Sequence, residues 1–211
     1  MKKKIALSLV LACLLNSGVC FAGFDEGEAA HQRGDYTTAL NEWSPLAEQG
    51  NAAAQYNLGL LFRGGKGVQQ NDKKAVAWYR KAANQGYAEA ESELGFMYRI
   101  GDGVKQNTKE AVKWYRKAAD QGNVSARHSL GEIFMTPKGT ELYGITPESS
   151  LVIAYAIHDC NTNYFPSQQK LSMLSRVMST DDINEATALS GELIKPNNFT
   201  RSLDAYLKNR R

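Results

Sequence analysis

The stretch AAAQYNLGLLFRGGKGVQQNDKKAVAWYRKAANQGY, residues 52–87, is followed directly by AEAESELGFMYRIGDGVKQNTKEAVKWYRKAADQGN, residues 88–123. Aligned at an offset of 36 residues, the two segments agree at 21 of 36 positions, where unrelated segments would agree at roughly 2. The sequence therefore contains one structural unit twice. Repeats of this length bury their apolar faces only by packing against one another, so we expect an array of repeats that serves as a scaffold.

Each repeat divides into two amphipathic helices joined by a glycine-rich segment. Apolar residues of the first helix recur at i, i+4, i+7 and i+8, which places them on one face. They are Ala54, Leu58, Leu61 and Phe62, copied as Ala90, Leu94, Met97 and Tyr98. The second helix is expected to begin near Asp72 or Thr108 and to bury an apolar face of its own. The members of that face are Ala75, Val76, Tyr79, Ala82 and Ala83, copied as Ala111, Val112, Tyr115, Ala118 and Ala119.

Glycine occupies two kinds of position in the repeat. Residues 64–68 and 101–104 are predicted to end the first helix and to turn the chain, because glycine adopts the positive φ that such a turn needs. Gly59 and Gly95 lie inside the first helices, where alanine is the better helix former. We therefore expect a close backbone approach of a packed neighbour at these two positions.

Degenerate units flank the two full repeats. Residues 23–51 keep the register in their second half, where Trp43 matches Tyr79, and are predicted to form a terminal repeat. An unrelated amphipathic hairpin is the alternative for this segment. Residues 124–162 are predicted to form a degenerate fourth repeat with a longer loop at 136–147. A loop of this kind is either functional or tolerated drift near the end of an array.

Residues 163–211 no longer follow the repeat and are predicted to form capping helices. Two helices are expected at Ser167–Ser179 and Asp181–Leu193, with a short last helix at Arg201–Leu207. One apolar stripe is expected to cover the open end of the stack. It consists of Leu171, Leu174, Val177 and Met178. The chain as a whole predicts an all-α fold of stacked helix pairs with C-terminal capping helices.

Residues 1–22 have the organisation of a secretory signal peptide. Three lysines precede an apolar run at residues 5–15, and small residues follow, so we expect cleavage after Ala22. The apolar run is too short for a stable membrane anchor. Lipid attachment at Cys20 is the weaker alternative. The sequence thus predicts a periplasmic or secreted protein without stable membrane insertion after cleavage.

Cleavage changes both the charge and the cysteine content. The three lysines of the leader account for the formal net charge of +3, so the remaining chain carries 22 basic and 22 acidic residues. A balanced chain lacks the positive field used for non-specific binding of nucleic acid or anionic membranes. Cys160 becomes the only cysteine of the sequence, so no internal disulfide is expected. We expect a monomer that binds a protein or peptide and not nucleic acid.

The two repeats resemble the Sel1-like repeat, a relative of the tetratricopeptide repeat with a longer loop between its helices. The pattern is A-x-A-x-x-x-L-G-x-x-[FY]-x-x-G-x-G-V followed by A-V-x-W-Y-R-K-A-A-x-Q-G, and with the degenerate units the resemblance covers about residues 24–162. The resemblance implies a right-handed superhelix of antiparallel helix pairs that serves as a scaffold for protein–protein contacts. In bacteria such scaffolds are often exported and linked to envelope regulation or host interaction. Some cysteine-rich exported members are assigned β-lactamase or penicillin-binding activity, but this sequence lacks their paired cysteines.

The sequence offers little for catalysis. Its histidines show no metal-ligand spacing, so we expect no enzyme, no cofactor and no metal. His158, Asp159 and Cys160 are consecutive on a predicted helix and cannot converge on one atom, so Cys160 is predicted to be half-buried and inert. Ser167 and Lys170 match the S-x-x-K pattern, but the companion motifs of an acyl-enzyme are missing.

A partner-binding surface is predicted on the first helices, opposite their apolar faces. In helix-pair solenoids the first helices line the concave surface. Apolar Leu60 and Phe96 beside Arg63 and Arg99 have the composition of interface hot spots. The nine predicted residues are Tyr56, Leu60, Arg63, Ser92, Phe96, Arg99, His128, Glu132 and Met135. The alternative is that part of this face packs against the adjacent repeat.

Three functions are compatible with these observations. The first is an exported adaptor or regulator in the bacterial envelope that holds a protein partner. The second is a β-lactamase or cell-wall hydrolase, as assigned to the cysteine-rich relatives. The third is a structural component of the envelope.

Overall fold

A computed structural model describes residues 23–161, 163–195 and 197–210, with the backbone alone at residue 165. The predicted signal peptide lies outside these residues. Within the described residues all regular secondary structure is helical, which confirms the all-α prediction. The helices are α1 (residues 23–32), α2 (Tyr36–Glu48), α3 (Ala52–Gly64), α4 (Asp72–Asn84), α5 (Ala88–Ile100), α6 (Thr108–Asp120), α7 (Val124–Phe134), α8 (Pro137–Tyr143), α9 (Pro147–Asp159), α10 (Phe165–Leu174), α11 (Thr180–Leu193) and α12 (Phe199–Lys208). The described residues form two compact units, which divide between Gln85 and Gly86.

In the first unit, α3 packs against both α2 and α4. The apolar face predicted for α3 is buried where it meets α2, so the second half of residues 23–51 packs as a repeat does. The core of this unit includes Ala39, Trp43, Leu46, Ala54, Leu58 and Leu61. The predicted apolar face of α4 is also buried.

In the second unit, α5 pairs with α6, and α7 packs against α6 and α9. Helix α9 thus takes the place of the second helix in the fourth helix pair. Helices α10 and α11 pack on α9, while α12 packs on α11 and returns to α6. One apolar core extends through these helices, from Ala111 on α6 to Leu207 on α12.

Helices α4 and α6 begin at Asp72 and Thr108, as predicted. The residue before each start is the N-cap, since the side chains of Asn71 and Asn107 accept hydrogen bonds from the backbone amides of Lys74 and Glu110. At the other end of the first helices, Gly65 and the equivalent Gly101 have φ values of 62° and 89°. Glycine is required there because the turn uses the left-handed region, as predicted.

The lengthened connection of the fourth repeat is not only a loop. It contains α8, a helix of 7 residues that begins at Pro137 and is capped by the hydroxyl of Thr136. The ring of Tyr143 stacks on Phe134 of α7 at a centroid distance of 4.9 Å. The inserted residues therefore add a helix that buries an aromatic side chain against the repeat.

The C-terminal helices differ from the prediction in their bounds. Helix α10 ends at Leu174, five residues before the expected Ser179, which instead caps α11 by accepting a hydrogen bond from the Asp182 amide at 3.1 Å. Leu174 is buried, but Val177 is 69% exposed, so the stripe predicted to cover the repeats is interrupted after one turn. The reason is that the helix ends before this position, which removes Val177 from its predicted face.

Candidate functional site

Every helix pair contains a contact between a glycine of its first helix and a ring of its second. A Cβ atom on Gly59 would approach the ring of Tyr79 closer than 3.0 Å, and Gly95 stands in the same relation to Tyr115. The degenerate pairs repeat the contact as Gly27 with Trp43 and Gly131 with His158. The predicted close approach at Gly59 and Gly95 is therefore confirmed, and its partner is an aromatic ring in each full repeat. The fourth pair replaces that ring with an imidazole.

A buried polar side chain ties consecutive helix pairs together within each unit. Gln55 of α3 donates its amide to the carbonyl of Ala47 on α2 at 2.9 Å. In the second unit, Arg127 of α7 donates to the equivalent carbonyl of Ala119 on α6 at 3.3 Å. Gln55 and Arg127 occupy the same position of the repeat, next to the apolar face of the first helix. A polar residue beside that face in both repeats was the only sign of this contact in the sequence. Sequence reasoning missed this clamp because the residue type changes from repeat to repeat.

In the first unit, the predicted partner-binding residues Tyr56, Leu60 and Arg63 are partly exposed on α3. The Tyr56 ring lies 6.0 Å from the ring of Tyr79, between centroids. Leu60 lines a small hollow of about 100 Å³ together with Trp43 and side chains of α1. These residues thus lie on one side of the helix pair with part of their surface open to solvent.

In the second unit, Ser92, Phe96 and Arg99 are likewise partly exposed on α5. The guanidinium of Arg99 lies over the Phe96 ring, with its carbon 5.3 Å from the centroid. Such a cation–π pair holds both side chains in one orientation. The predicted combination of an aromatic ring and an arginine is therefore assembled on this helix.

The remaining predicted residues, on α7, contact the C-terminal part of the chain. Lys170 of α10 forms an ion pair with Glu132 at 3.1 Å. The ring of Tyr164, which precedes α10, lies 5.3 Å from that of His128. Met135 packs against the apolar core of the unit. The chain's own α10, with Tyr164 before it, thus contacts the α7 part of the predicted surface.

A buried polar cluster joins α7, α9 and α10 at this place. Ser167 is fully buried, and its hydroxyl oxygen lies 3.3 Å from Nδ1 of His158 and 3.4 Å from Nδ1 of His128. The side-chain amide of Asn161 donates to the same oxygen at 3.4 Å and to the carbonyl of Val124 at 2.8 Å. Burial, followed by the charge of His128, lowers the pKa of His158 to about 4. Burial also lowers the pKa of His128. Both imidazoles are therefore neutral at pH 7.

The geometry of this cluster is structural and not suited to acyl transfer. Ser167 has no exposed surface, so a substrate carbonyl has no path to its hydroxyl. Lys170 is held by Glu132 in an ion pair. Burial raises the pKa of the Cys160 thiol to about 11, and its Sγ donates to the carbonyl of Ile157, so the thiol is an unreactive core group at neutral pH.

The described residues contain no group of three or more histidine, cysteine, aspartate or glutamate side chains placed to hold a metal ion. Among the same residues, no helix combines the length and the apolar character needed to cross a bilayer.

Comparison with known proteins agrees with this architecture. The model of the Sel1 repeat family matches residues 52–87 and 88–123. A solved structure of a protective antigen present in uropathogenic Escherichia coli strains, described as displaying an SLR fold, superposes with a TM-score of 0.56 and 24% identity over 91% of this chain. This chain covers 49% of that protein, about half of its length. A Sel1 repeat protein from Oxalobacter formigenes superposes with a TM-score of 0.51 and 26% identity, covering 64% of this chain and 97% of that one. The search of curated proteins gives no match.

The repeated helix pairs, each closed by a glycine and a ring, define an α-helical repeat scaffold. The family match identifies two Sel1 repeats, at residues 52–87 and 88–123, which confirms the resemblance seen in this part of the sequence. The two similar structures share the helical repeat fold.

Proposed function

We propose that this protein is an exported adaptor or regulator of the bacterial envelope, which holds a protein partner on the first helices of its repeats. The observation that supports this most is the Phe96–Arg99 pair on α5, which is partly exposed and held by a cation–π contact. Aromatic and arginine side chains dominate the energetics of protein interfaces, and their fixed orientation lowers the entropy lost on binding. Sel1-repeat folds are typically scaffolds, which agrees with this assignment.

Export is part of the proposal and is supported by the sequence of residues 1–22. Many exported proteins are stabilised by disulfides, and this one has no paired cysteines after cleavage of the leader. Its hydrophobic core must therefore stabilise the fold without them. Two apolar cores are available for this, one formed by α1, α2 and α3 and one that extends from α6 to α12. Neither core depends on a disulfide, since Cys160 is free and buried.

Site-specific photocrosslinking in bacterial cells tests the proposed surface. The photoreactive phenylalanine analogue p-benzoylphenylalanine is placed at Phe96, where it replaces a similar ring, and separately at the exposed Lys73 on α4 as a control. We expect a discrete crosslinked species from position 96 and none from position 73. Addition of Arg99→Glu should abolish it. A crosslink that survives Arg99→Glu, or appears equally from position 73, would remove this surface from the proposal.

A further inference from the structure

An open groove runs along α6 in the second unit. Side chains of α6 form its floor, and Leu142 and Tyr143 of α8 and Thr200 of α12 contribute to its sides. Its volume is about 620 Å³. The floor extends from Lys109 to Asp120, which corresponds to ~16 Å along a helix that rises 1.5 Å per residue. A groove of this length accommodates about three turns of a helix.

Basic side chains outnumber acidic ones in this groove by four to two. The acidic groups are already engaged, since Glu110 lies 3.8 Å from Lys113, and Asp120 accepts the backbone amide of Thr200 at 2.8 Å. Arg116 is paired with Asp204 of α12. Among the described residues, no carboxylate lies within 4 Å of Lys109 or Lys117, near the two ends of the floor, although Lys117 also interacts electrostatically with Glu91 of α5.

Apolar surface lies between these charges. Leu142 of α8 supplies the partly exposed apolar side chain, while Val112 of α6 and Tyr143 of α8 line the groove with little exposed surface, at 4% and 9%. Leu142 is partly exposed, so a bound apolar side chain would bury it further. The ammonium of Lys117 lies over the ring of Trp114, 4.3 Å from its centroid, which fixes one positive charge at the edge. The groove therefore offers an apolar strip with positive charge at both ends.

We propose that this groove binds an acidic, amphipathic segment of a protein. Its apolar side chains pack on Val112 and Leu142, and its carboxylates lie near Lys109 and Lys117. The apolar strip distinguishes this ligand from nucleic acid, whose phosphates need positive charge along the whole path. The site goes beyond the proposed function, because it is separate from the first-helix surface and binds whether or not that surface recruits a partner.

The repeat itself supplies a matched control. Lys73 and Lys81 of α4 stand 36 residues before Lys109 and Lys117, and all four are exposed. Lys81 also lies over a tryptophan ring, at 3.8 Å from its centroid. The inserted α8 and the C-terminal α12 have no counterpart within residues 52–87. Replacing Lys73 and Lys81 by glutamate therefore changes the net charge of the protein as much as replacing Lys109 and Lys117, but leaves the groove unchanged.

The test is fluorescence anisotropy with the purified chain and a fluorescein-labelled amphipathic peptide of leucine, alanine and glutamate. The peptide has about 12 residues, ~18 Å as a helix. We expect saturable binding, a loss of about tenfold or more in affinity for Lys109→Glu/Lys117→Glu, and less than about twofold for Lys73→Glu/Lys81→Glu. Leu142→Ser should weaken binding as well. Circular dichroism verifies that each variant keeps its helical content.

Several outcomes would overturn this assignment. If the double variants on α6 and α4 lose the same affinity for the peptide, binding would be by charge alone. The same conclusion would follow if polyglutamate bound as tightly as the peptide and Leu142→Ser had no effect. Absence of saturable binding would remove the site. A free chain that is dimeric, and becomes monomeric with Lys109→Glu/Lys117→Glu, would show that a second copy occupies the groove. The Phe96→Ala/Arg99→Ala variant should bind the peptide normally, which separates this site from the proposed first-helix surface.

Discussion

At the scale of single residues, the contact between a helix glycine and a ring determines how closely each helix pair packs. The two full repeats use tyrosine, the first pair uses tryptophan and the fourth uses His158. The glycine is retained in all four pairs, because any side chain there would overlap the ring. The ring on the second helix varies between tyrosine, tryptophan and histidine, whereas the residue on the first helix is always glycine. Close packing therefore restricts the residue type on the first helix.

Substitution of Gly59 by alanine measures this contact. The added methyl group would overlap the Tyr79 ring, so we expect Gly59→Ala to lower the free energy of unfolding by about 2 kcal/mol. Gly191 is the matched control, since it lies inside α11 with nothing within 4 Å of an added Cβ. Gly191→Ala should stabilise by about 1 kcal/mol through helix propensity. Chemical denaturation distinguishes the two, and similar effects from both substitutions would contradict close packing at Gly59.

The residue scale also shows what the sequence could predict. The close approach at Gly59 and Gly95 was predictable, because a glycine that recurs at the same place inside a helix indicates a close neighbour. The clamp by Gln55 and Arg127 was not, since only the backbone carbonyl they bind is constant. The contact between Ser167 and His128 could not be predicted from the sequence either. It joins residues 39 apart in the chain, and no local pattern encodes it.

At the scale of elements, this chain differs from a plain array of helix pairs mainly by its added helices, among them α8, α10 and α12. Helix α8 was missed although its signals are present in the sequence: Thr136 caps it, Pro137 begins it and Gly144 ends it. Helix α10 attaches to α7 and α9 through polar contacts around Ser167 and Lys170. Helix α12 attaches to α6 through Asp204 and Thr200.

The histidines at the α10 attachment predict a loss of stability in acid. His158 has a pKa of about 4 in the folded chain against 6.5 for a free imidazole, so the unfolded chain binds its proton first. Neutral His158 makes its full contribution to the free energy of unfolding above pH 6.5. This contribution is lost as the pH falls toward 4, by about 3 kcal/mol in total. Glu132 opposes this shift, whereas His128 and Lys170 reinforce it.

Denaturation midpoints measured between pH 7 and pH 4 test this expectation. In His158→Tyr, which installs the ring used by the full repeats, the pH dependence should become clearly shallower. A purely structural effect of the substitution would shift the stability equally at every pH. An unchanged slope would therefore show that His158 is not the titrating group.

Asp120 provides a second prediction at this scale. Its carboxylate accepts the backbone amide of Thr200, in the first turn of α12, while the N-cap Asn198 makes no side-chain capping bond. Asp120→Ala should therefore destabilise α12 by about 1 kcal/mol. Hydrogen exchange should become faster at residues 199–208 and stay unchanged in α4. Unaltered protection of α12 would show that its other contacts suffice.

At the scale of the whole molecule, the protein is proposed to be a scaffold that acts outside the cytoplasm. Mass spectrometry of the protein isolated from the envelope fraction or the medium tests the export step. Cleavage after Ala22 predicts a chain that begins at Gly23. A lipid-modified Cys20 at the amino terminus would support the alternative anchor, and an intact amino terminus would contradict export through this leader.

The central claim is that the first-helix surface recruits a protein. It is tested by calorimetric titration of the purified chain with the partner identified by crosslinking at position 96. We predict one binding site and an affinity that falls by about tenfold or more in Phe96→Ala/Arg99→Ala, as expected for truncated interface anchors. An unchanged affinity for the double variant would contradict the claim.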